Sequence, residues 1–347
     1  MEKSYFNNNE IPKIDSAFNM PIESLPEETP EEYVSRFMKL IVDTHTRNED
    51  IFGEPVKLLE KREYYGRYTH PSVNNFFKSE GRAQQLKEIL IKLNVHNEEK
   101  FSDSKKTEMF SRLKNRVQRS SRSSSQGDVH ESIDYYANTN QERSFFVPGR
   151  KRDAYSYVSM MFGLPESFVN TTEGREYIHR LIDGKTIFLF GGGDSVVDLL
   201  KDERLRPKKV INFDPFLKEE SFDKNPNDIY ESMTISATDE KVRQMVNNTS
   251  LPKADEVWAT YSVPFYVDSS DEIRSLIKNM ATVLEDGGNA RISPITVQED
   301  VRGDETFESR KQALLTSIDE LINSPDYNVS MFNDTLIIHK IKKAIRE

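Results

Sequence analysis

The stretch IFLFGGGDSVVDLL (residues 187–200) runs from apolar residues through three glycines into a helical pattern. Where a strand runs directly into a helix, the turn presents backbone N–H groups and the positive end of the helix dipole. Glycine has no Cβ and adopts positive φ, so a ligand can approach such a turn closely. We therefore predict that Gly191, Gly192 and Gly193 lie against a bound ligand. The alternative is a tight turn followed by a helix-capping aspartate.

From residue 185 onward, strand and helix patterns alternate. The predicted strands are KTIFLF (185–190), KKVINFD (208–214), DIYESMTIS (228–236), ADEVWATYS (254–262) and NARISPI (289–295). The predicted helices are DSVVDLLKDERL (194–205), DEKVRQMVNN (239–248), SSDEIRSLIKNMATVLEDGG (269–288) and SRKQALLTSIDELINS (309–324). Such alternation predicts right-handed βαβ units and a mainly parallel sheet.

Two local signals refine this α/β prediction. In the helix at 269–288, Ser269 and Glu272 form a capping box, and Gly287 is predicted to end the helix. The last segment, YNVSMFNDTLIIHKI (327–341), predicts an antiparallel hairpin that turns around Asn333 and Asp334.

The front of the chain has a different pattern. EEYVSRFMKLIVD (31–43) places apolar residues on one helical face, and further amphipathic helices follow it. We predict a mainly helical accessory region at 1–145 and the α/β domain at 146–347. The helices are expected either to cover the substrate side or to mediate a homodimer.

A basic segment lies at 104–127 and ends in a run of serines. Its seven cationic residues are Lys105, Lys106, Arg112, Lys114, Arg116, Arg119 and Arg122. One interpretation is the end of a solvated helix followed by a flexible linker. The other is a phosphate-contacting arm. The segment contains a single aromatic residue, Phe110, whereas nucleic-acid modules interleave several for stacking, which favours the linker.

The composition restricts the classes of function. The 347 residues carry a formal net charge of −10, which repels nucleic acid and anionic membranes. The chain has no cysteine, which excludes disulfides and thiolate chemistry. We predict no metal site, because no ligand spacing joins His45, His70, His96, His130, His179 and His339. Without a signal-peptide pattern or an apolar run of about 20 residues, we expect a cytoplasmic protein with no membrane contact.

An acidic residue follows the glycines at a sequence spacing that is typical of nucleoside-binding sites. Asp214 ends the second predicted strand, 21 positions after Gly193. An acid about 20 residues beyond such glycines can accept hydrogen bonds from ribose hydroxyls. The dinucleotide pattern G-x-G-x-x-G requires a third glycine, and Val196 occupies that place. A dinucleotide-dependent enzyme therefore stays an alternative and is not the first choice.

With these motifs, residues 171–341 resemble the class I S-adenosylmethionine-dependent methyltransferases. The resemblance rests on FLFGGGDS, INFDPF, ATYSVPFY, LEDGGNARIS and the terminal hairpin. It implies a Rossmann-like fold and S-adenosylmethionine as cofactor, with the glycine turn beside the amino acid part and Asp214 on the ribose. Asp239 corresponds to the polar residue near the adenine. We add Asp194 in the turn and Thr260 at the end of the fourth strand to the predicted cofactor site.

Two positions depart from the family pattern. Leu189 stands where many members have an acid, and Ser195 stands where the last glycine of the loop is common. The run GGGDS is also similar to the GGGDG turn of spermidine-synthase-like aminopropyltransferases. Those enzymes carry acids after the fourth strand, where this chain has ATYSVPF, so aminopropyl transfer ranks below methyl transfer.

The end of the fourth strand is the predicted catalytic segment. Ser262, Val263, Pro264 and Phe265 are similar to the [DNS]-P-P-[YFW] motif of amino-methyltransferases, with Val263 replacing the first proline. That motif implies a polar acceptor for the target nitrogen and an aromatic ring against the substrate. The alternative is a proline turn with buried aromatics. The predicted catalytic residues are Tyr261, Ser262, Pro264, Phe265 and Tyr266.

The sequence thus predicts methyl transfer to a nitrogen or oxygen of an acceptor that it does not identify. A small molecule or a protein is favoured over nucleic acid because of the acidic charge. A protein that keeps the fold for binding or scaffolding, without catalysis, is the competing hypothesis.

Overall fold

The fold is described from a computed structural model for part of the chain. The described residues are 25, 27–47, 71–79, 81–96, 100–119, 154–192, 204–215, 229–260, 262–265, 267–297, 306–332 and 335–342. The predicted helix at 194–205 and the predicted boundary between 145 and 146 lie outside them, apart from residues 204 and 205 of that helix.

Seven helices of the described chain precede the sheet. They are α1 (Pro30–Arg47), α2 (Pro71–Phe76), α3 (Arg82–His96), α4 (Asp103–Arg119), α5 (Ala154–Met161), α6 (Glu166–Val169) and α7 (Thr172–Ile182). The strands are β1 (Thr186–Phe190), β2 (Lys209–Phe213), β3 (Tyr230–Met233), β4 (Ala254–Thr260), β5 (Leu284–Ser293), β6 (Tyr327–Phe332) and β7 (Thr335–Lys340). Between strands lie α8 (Lys241–Asn247), α9 (Ser270–Val283) and α10 (Phe307–Asn323).

The seven strands form one sheet in the order β3-β2-β1-β4-β5-β7-β6. Strands β1 to β5 pair in parallel, and β7 pairs antiparallel with both β5 and β6. This confirms the predicted Rossmann-like fold class, with its terminal antiparallel hairpin and its helical N-terminal region. The predicted hairpin turn at Asn333 and Asp334 lies outside the described residues.

The strand order reverses between β1 and β4. The chain moves outward from β1 through β2 to β3, then returns to the other side of β1 with β4 and β5. In open α/β sheets, ligands bind at the carboxyl ends of the strands at such a reversal. We call this end of the sheet the carboxyl edge.

Both faces of the sheet are buried. Ile187 and Leu189 of β1, with Trp258 of β4, pack against α1–α3 and α5–α7. Phe188 and Phe190 pack on the other face with α4 and α8–α10. Because successive strand residues point to opposite faces, both layers of helices bury the same short strand. The described N-terminal helices therefore share a hydrophobic core with the sheet.

The basic helix α4 covers the outer strand β6. Its apolar residues Met109, Leu113 and Val117 are buried. On its polar side, Arg112 donates from Nη2 to the carbonyl of Met331 in β6 at 3.1 Å. Covering a sheet edge in this way protects it from pairing with other chains.

Two cations of this segment are paired with one acid of α1. Lys105 Nζ lies 2.6 Å from Glu32 Oε2, and Arg112 Nη1 lies 3.2 Å from Glu32 Oε1. Two of the seven cations of the basic segment are thus engaged within the protein. The serine run that follows lies outside the described residues.

The predicted glycine stop at Gly287 is wrong. Helix α9 ends at Val283, and β5 begins at Leu284 and runs through Gly287. Ala254 pairs with Leu284, but Glu256 pairs with Asn289, so β5 holds three extra residues in the ladder. A bulge of this kind requires unusual backbone, and Gly287 supplies φ of +87°. The glycine thus marks an irregular strand rather than a helix end.

The N-cap of the same helix is confirmed at Ser269, whose Oγ accepts from Glu272 N at 3.2 Å. The second half of the predicted capping box differs, because the Glu272 carboxylate accepts from Ser269 Oγ at 3.2 Å rather than from Ser269 N. Helix α7 ends at Ile182, two residues before Gly184, whose φ of +68° is typical of a glycine that follows a helix. Local signals therefore place these helix ends correctly.

Candidate functional site

The glycine turn follows β1 at the strand reversal. Gly191 has φ of +69°, and its N–H donates to the carbonyl of Phe213 in β2 at 2.8 Å. A Cβ on Gly191 would lie 2.6 Å from Cβ of Ser262. Glycine is needed at this position both for the backbone conformation and for the close approach of β4's end.

The second glycine packs inward as well. Gly192 N donates to Asn212 Oδ1 at 3.2 Å, and an added Cβ would lie 2.9 Å from Cβ of Leu189. The N–H groups of Gly191 and Gly192 are therefore used within the protein, which corrects the expectation that this turn presents unpaired N–H groups. A ligand would meet these two residues through close backbone approach. Gly193 and Asp194 lie outside the described residues.

Asp214 lies beside the glycine turn. Strands β1 and β2 pair Phe190 with Phe213, so Gly191 and Asp214 are at the same level on neighbouring strands, about 5 Å apart. The backbone N–H of Asp214 donates to the carbonyl of Met233 in β3 at 3.1 Å, and the residue is buried. The predicted turn and the predicted acid are thus brought together.

Asp239 occupies the turn after β3. Its Oδ1 accepts from Lys241 N at 2.9 Å, so the carboxylate stabilises the start of α8. The same turn is held by Asn279 of α9, which donates from Nδ2 to the carbonyls of Ala237 at 2.6 Å and Asp239 at 2.9 Å. Arg243 donates to Asn279 Oδ1 at 2.7 Å.

Sequence reasoning missed Asn279. The residue is fully buried, although it is polar and lies three positions after Leu276 on the apolar side of α9. A polar residue within an apolar helical stripe is the signal that could have found it. Because all of its hydrogen-bonding groups are engaged, Asn279 fixes the position of the turn that carries Asp239.

The end of β4 contacts both β1 and α5. Ser262 Oγ donates to the carbonyl of Phe190 at 2.7 Å and is buried. Thr260 Oγ1 donates to Met161 Sδ at 2.8 Å. The Ser262 proton is therefore directed at the protein backbone, whereas the hydroxyl oxygen keeps its capacity to accept a hydrogen bond.

The remaining catalytic candidates are divided between described and other residues. Pro264 is buried and Phe265 is partly exposed, and both directly follow Ser262. Tyr261 and Tyr266 lie outside the described residues. Among the described catalytic candidates, Ser262 lies against Gly191 of the glycine turn. The described part of the chain contains no cluster of His, Asp or Glu that could hold a metal ion.

Comparison with solved structures shows a similarity of fold between this chain and other proteins. No family model matches the chain, and no curated protein does. The O-methyltransferase from Bacillus cereus in complex with SAH is 12% identical with a TM-score of 0.32, over 68% of this chain and 100% of that chain. Human N-acetylserotonin methyltransferase in complex with SAM is 12% identical with a TM-score of 0.31, over 68% of this chain and 67% of that chain.

Similarity at this level carries no information about the reaction. The fold assignment rests on the sheet itself, whose order and terminal hairpin agree with the class I methyltransferase resemblance. The similarity to spermidine-synthase-like enzymes is not shown by these comparisons. None of the described helices has the length and hydrophobicity to cross a membrane.

Proposed function

We propose that this protein binds S-adenosylmethionine at the carboxyl edge and transfers its methyl group to a nitrogen or oxygen of an acceptor. The observation that carries this proposal is the position of Gly191 and Asp214 on neighbouring strands at the reversal of the sheet. A carboxylate at the end of β2 is suited to accept from two ribose hydroxyls, and a glycine without Cβ admits close approach.

The residues present fit the cofactor in part. Asp214 supplies the acceptor for the ribose, and the Asp239 turn is held in place by Asn279 for the adenine side. Gly191 and Gly192 supply backbone that a ligand can approach, and their N–H groups are engaged inside the protein. When bound, the cofactor supplies a methyl group activated by a sulfonium.

The chain's own contribution is to position the acceptor and exclude water. Ser262 lies against Gly191, so a group bound to its oxygen lies beside the glycine turn. Since its proton is donated to Phe190, Ser262 can accept from an acceptor N–H or O–H but is not free to donate. We assign contact with an apolar part of the acceptor to Phe265, which is partly exposed.

The test is calorimetric titration with S-adenosylmethionine, S-adenosylhomocysteine, decarboxylated S-adenosylmethionine and NAD. We expect the first two to bind, and Asp214→Ala to weaken them at least about tenfold, or about 1.4 kcal/mol. Asp183→Ala, which removes an exposed acid from the turn before β1, is the matched control and should bind as the parent does. Binding that survives Asp214→Ala unchanged would refute the assigned ribose contact.

The other ligands separate the alternatives. Tighter binding of the decarboxylated compound indicates aminopropyl transfer, and binding of NAD alone indicates a dinucleotide-dependent enzyme. If cofactor binds, transfer of a labelled methyl group to small-molecule and protein acceptors tests the reaction.

The non-catalytic alternative has one structural observation in its favour. Leu189, at the position where many family members have an acid, is 1% exposed and belongs to the core between the sheet and the N-terminal helices. It cannot replace the missing carboxylate. A folded protein that binds none of the four ligands would favour this binding or scaffold function.

A further inference from the structure

A cavity lies toward the amino ends of the parallel strands, away from the glycine turn. It has a volume of about 300 Å³ and is lined by the first part of β4, by β5 and by the end of β7. Its lining residue Glu256 pairs with Ile187 of β1, four residues before Gly191, which is about 13 Å along the strand. We call it the amino-end cavity. Its size is at the lower end of the range for small-molecule sites, about 300–1,000 Å³.

The floor of the amino-end cavity is a buried group of charges. Arg291 of β5 is 5% exposed, and its Nη1 lies 3.0 Å from Glu31 Oε1 and its Nε lies 3.3 Å from Glu256 Oε2. Glu256 also accepts from Trp258 Nε1 at 3.2 Å and from Asn289 Nδ2 at 3.1 Å. Both acids of the lining are therefore already engaged by donors from the protein.

The guanidinium of Arg291 is fixed in orientation, and one of its three nitrogens makes no hydrogen bond within the described residues. The ring of Phe162 lies 4.0 Å from its Cζ, which holds the plane of the group. Nη1 also approaches the carbonyl of Met161 at 3.4 Å. Among the described residues, Nη2 of Arg291 makes no hydrogen bond, although the side chain lines the cavity. A guanidinium nitrogen with a free donor that lines a cavity is a strong donor for an oxyanion.

The rim of the cavity is cationic. Arg180 at the end of α7, Lys185 before β1 and Lys342 after β7 all line it. With Arg291, the lining holds four cations against the two acids Glu31 and Glu256. This local excess of positive charge contrasts with the net charge of −10 of the whole chain. A cavity with this charge concentrates anions from solution.

We propose that the amino-end cavity binds a small molecule carrying an oxyanion, either a carboxylate or a phosphate. Arg291 Nη2 contacts the oxyanion at the floor, and Arg180, Lys185 and Lys342 surround it at the rim. The site is separate from the proposed cofactor site and does not depend on methyl transfer.

The experiment titrates the full chain with inorganic pyrophosphate and, separately, with malonate, at constant ionic strength set by sodium chloride. We expect calorimetry to give a Kd below about 1 mM for at least one of them. Comparing the Kd for pyrophosphate with the Kd for malonate shows which oxyanion the cavity prefers.

Variants locate the binding. Arg180→Ala/Lys342→Ala removes two rim cations and should weaken binding about tenfold or more. The matched control is Arg274→Ala/Lys278→Ala, which removes an exposed arginine and lysine from α9, on the other face of the sheet. It should bind as the parent does, because neither residue lines the cavity.

Two outcomes would overturn the proposal. One is the absence of binding by either anion to the folded parent protein. The other is equal weakening in both double variants, which would mean a general charge effect. Since no methyl donor is present, either outcome leaves the proposed function to be judged separately.

Discussion

Gly191→Ala tests the geometry of the glycine turn directly. Alanine would have to adopt φ of +69°, which costs about 1–2 kcal/mol for a residue with Cβ. Its Cβ would also lie 2.6 Å from Cβ and 3.0 Å from Oγ of Ser262, so β4's end must move. Overpacking of this kind costs about 1–3 kcal/mol. We therefore expect a total loss of roughly 2–5 kcal/mol in the free energy of unfolding.

Gly184→Ala is the matched control for the backbone component. Gly184 has φ of +68°, and a Cβ there would have no atom within 4 Å. We expect a loss of only about 1–2 kcal/mol, measured by urea denaturation with an unchanged m-value. The difference between the two variants isolates the contact with Ser262.

A double-mutant cycle completes the test. In a Ser262→Gly background, the clashing Cβ is gone, so Gly191→Ala should cost about as much as Gly184→Ala, about 1–2 kcal/mol. The reasoning is refuted if Gly191→Ala and Gly184→Ala lose the same free energy in the parent protein. It is also refuted if Ser262→Gly leaves the cost of Gly191→Ala unchanged.

Three further predictions concern buried polar groups. Arg291→Met removes the cation that Glu31 and Glu256 share and should cost about 3–5 kcal/mol in urea denaturation. Adding Glu31→Gln with Glu256→Gln should recover most of this loss, and a triple variant as unstable as the single one would contradict the reasoning. Burial raises the pKa of Glu256 above its ordinary 4.5. Between pH 4.5 and that higher pKa the folded state binds more protons at this group than the unfolded state does, so the group's contribution to stability falls as pH rises through this range. Glu256→Gln should therefore flatten the pH dependence of unfolding above pH 4.5, and an unchanged slope would count against the raised pKa. Asn279→Leu removes the donors to the carbonyls of Ala237 and Asp239 and should cost roughly 2–4 kcal/mol in urea denaturation, whereas the exposed Asn323→Leu should change stability by less than about 0.5 kcal/mol.

The central strands could be predicted from the sequence because their pattern is local. Residues Ile187 to Phe190 are buried on both faces, and such a strand reads as a continuous apolar run. The N-cap at Ser269 and the glycine after α7 are local as well. Asp214 lies beside Gly191 because β1 and β2 are successive strands that pair in parallel. The spacing of the two residues along the sequence was therefore sufficient to predict that they are neighbours.

The end of α9 could not be predicted because a glycine can either end a helix or allow a bulge in a strand. Gly287 after an apolar helical stripe has the pattern of a helix stop, yet the helix ends four residues earlier at Val283. What decides is the pairing of β5 with β4, in which Glu256 bonds across to Asn289 and the residues before Asn289 bulge. That pairing joins positions 33 residues apart and leaves no mark in either segment alone.

The two ends of the sheet also differ in how far they could be predicted from local sequence. The carboxyl edge is built from the turns that directly follow β1, β2 and β4. Each turn can be recognised from the residues of its own short segment, so this site could be predicted from the sequence. The amino-end cavity instead gathers Glu31 from α1, Glu256 from β4 and Arg291 from β5, which meet only after the sheet has formed. Two acids share one guanidinium there, and for Glu256 burial outweighs the attraction of Arg291, so the pKa of the carboxyl is raised. Buried ion pairs contribute little net stability compared with apolar residues of the same volume. The position of these charges beside a cavity with a cationic rim therefore has a better explanation in binding than in stability, and anion titration separates the two.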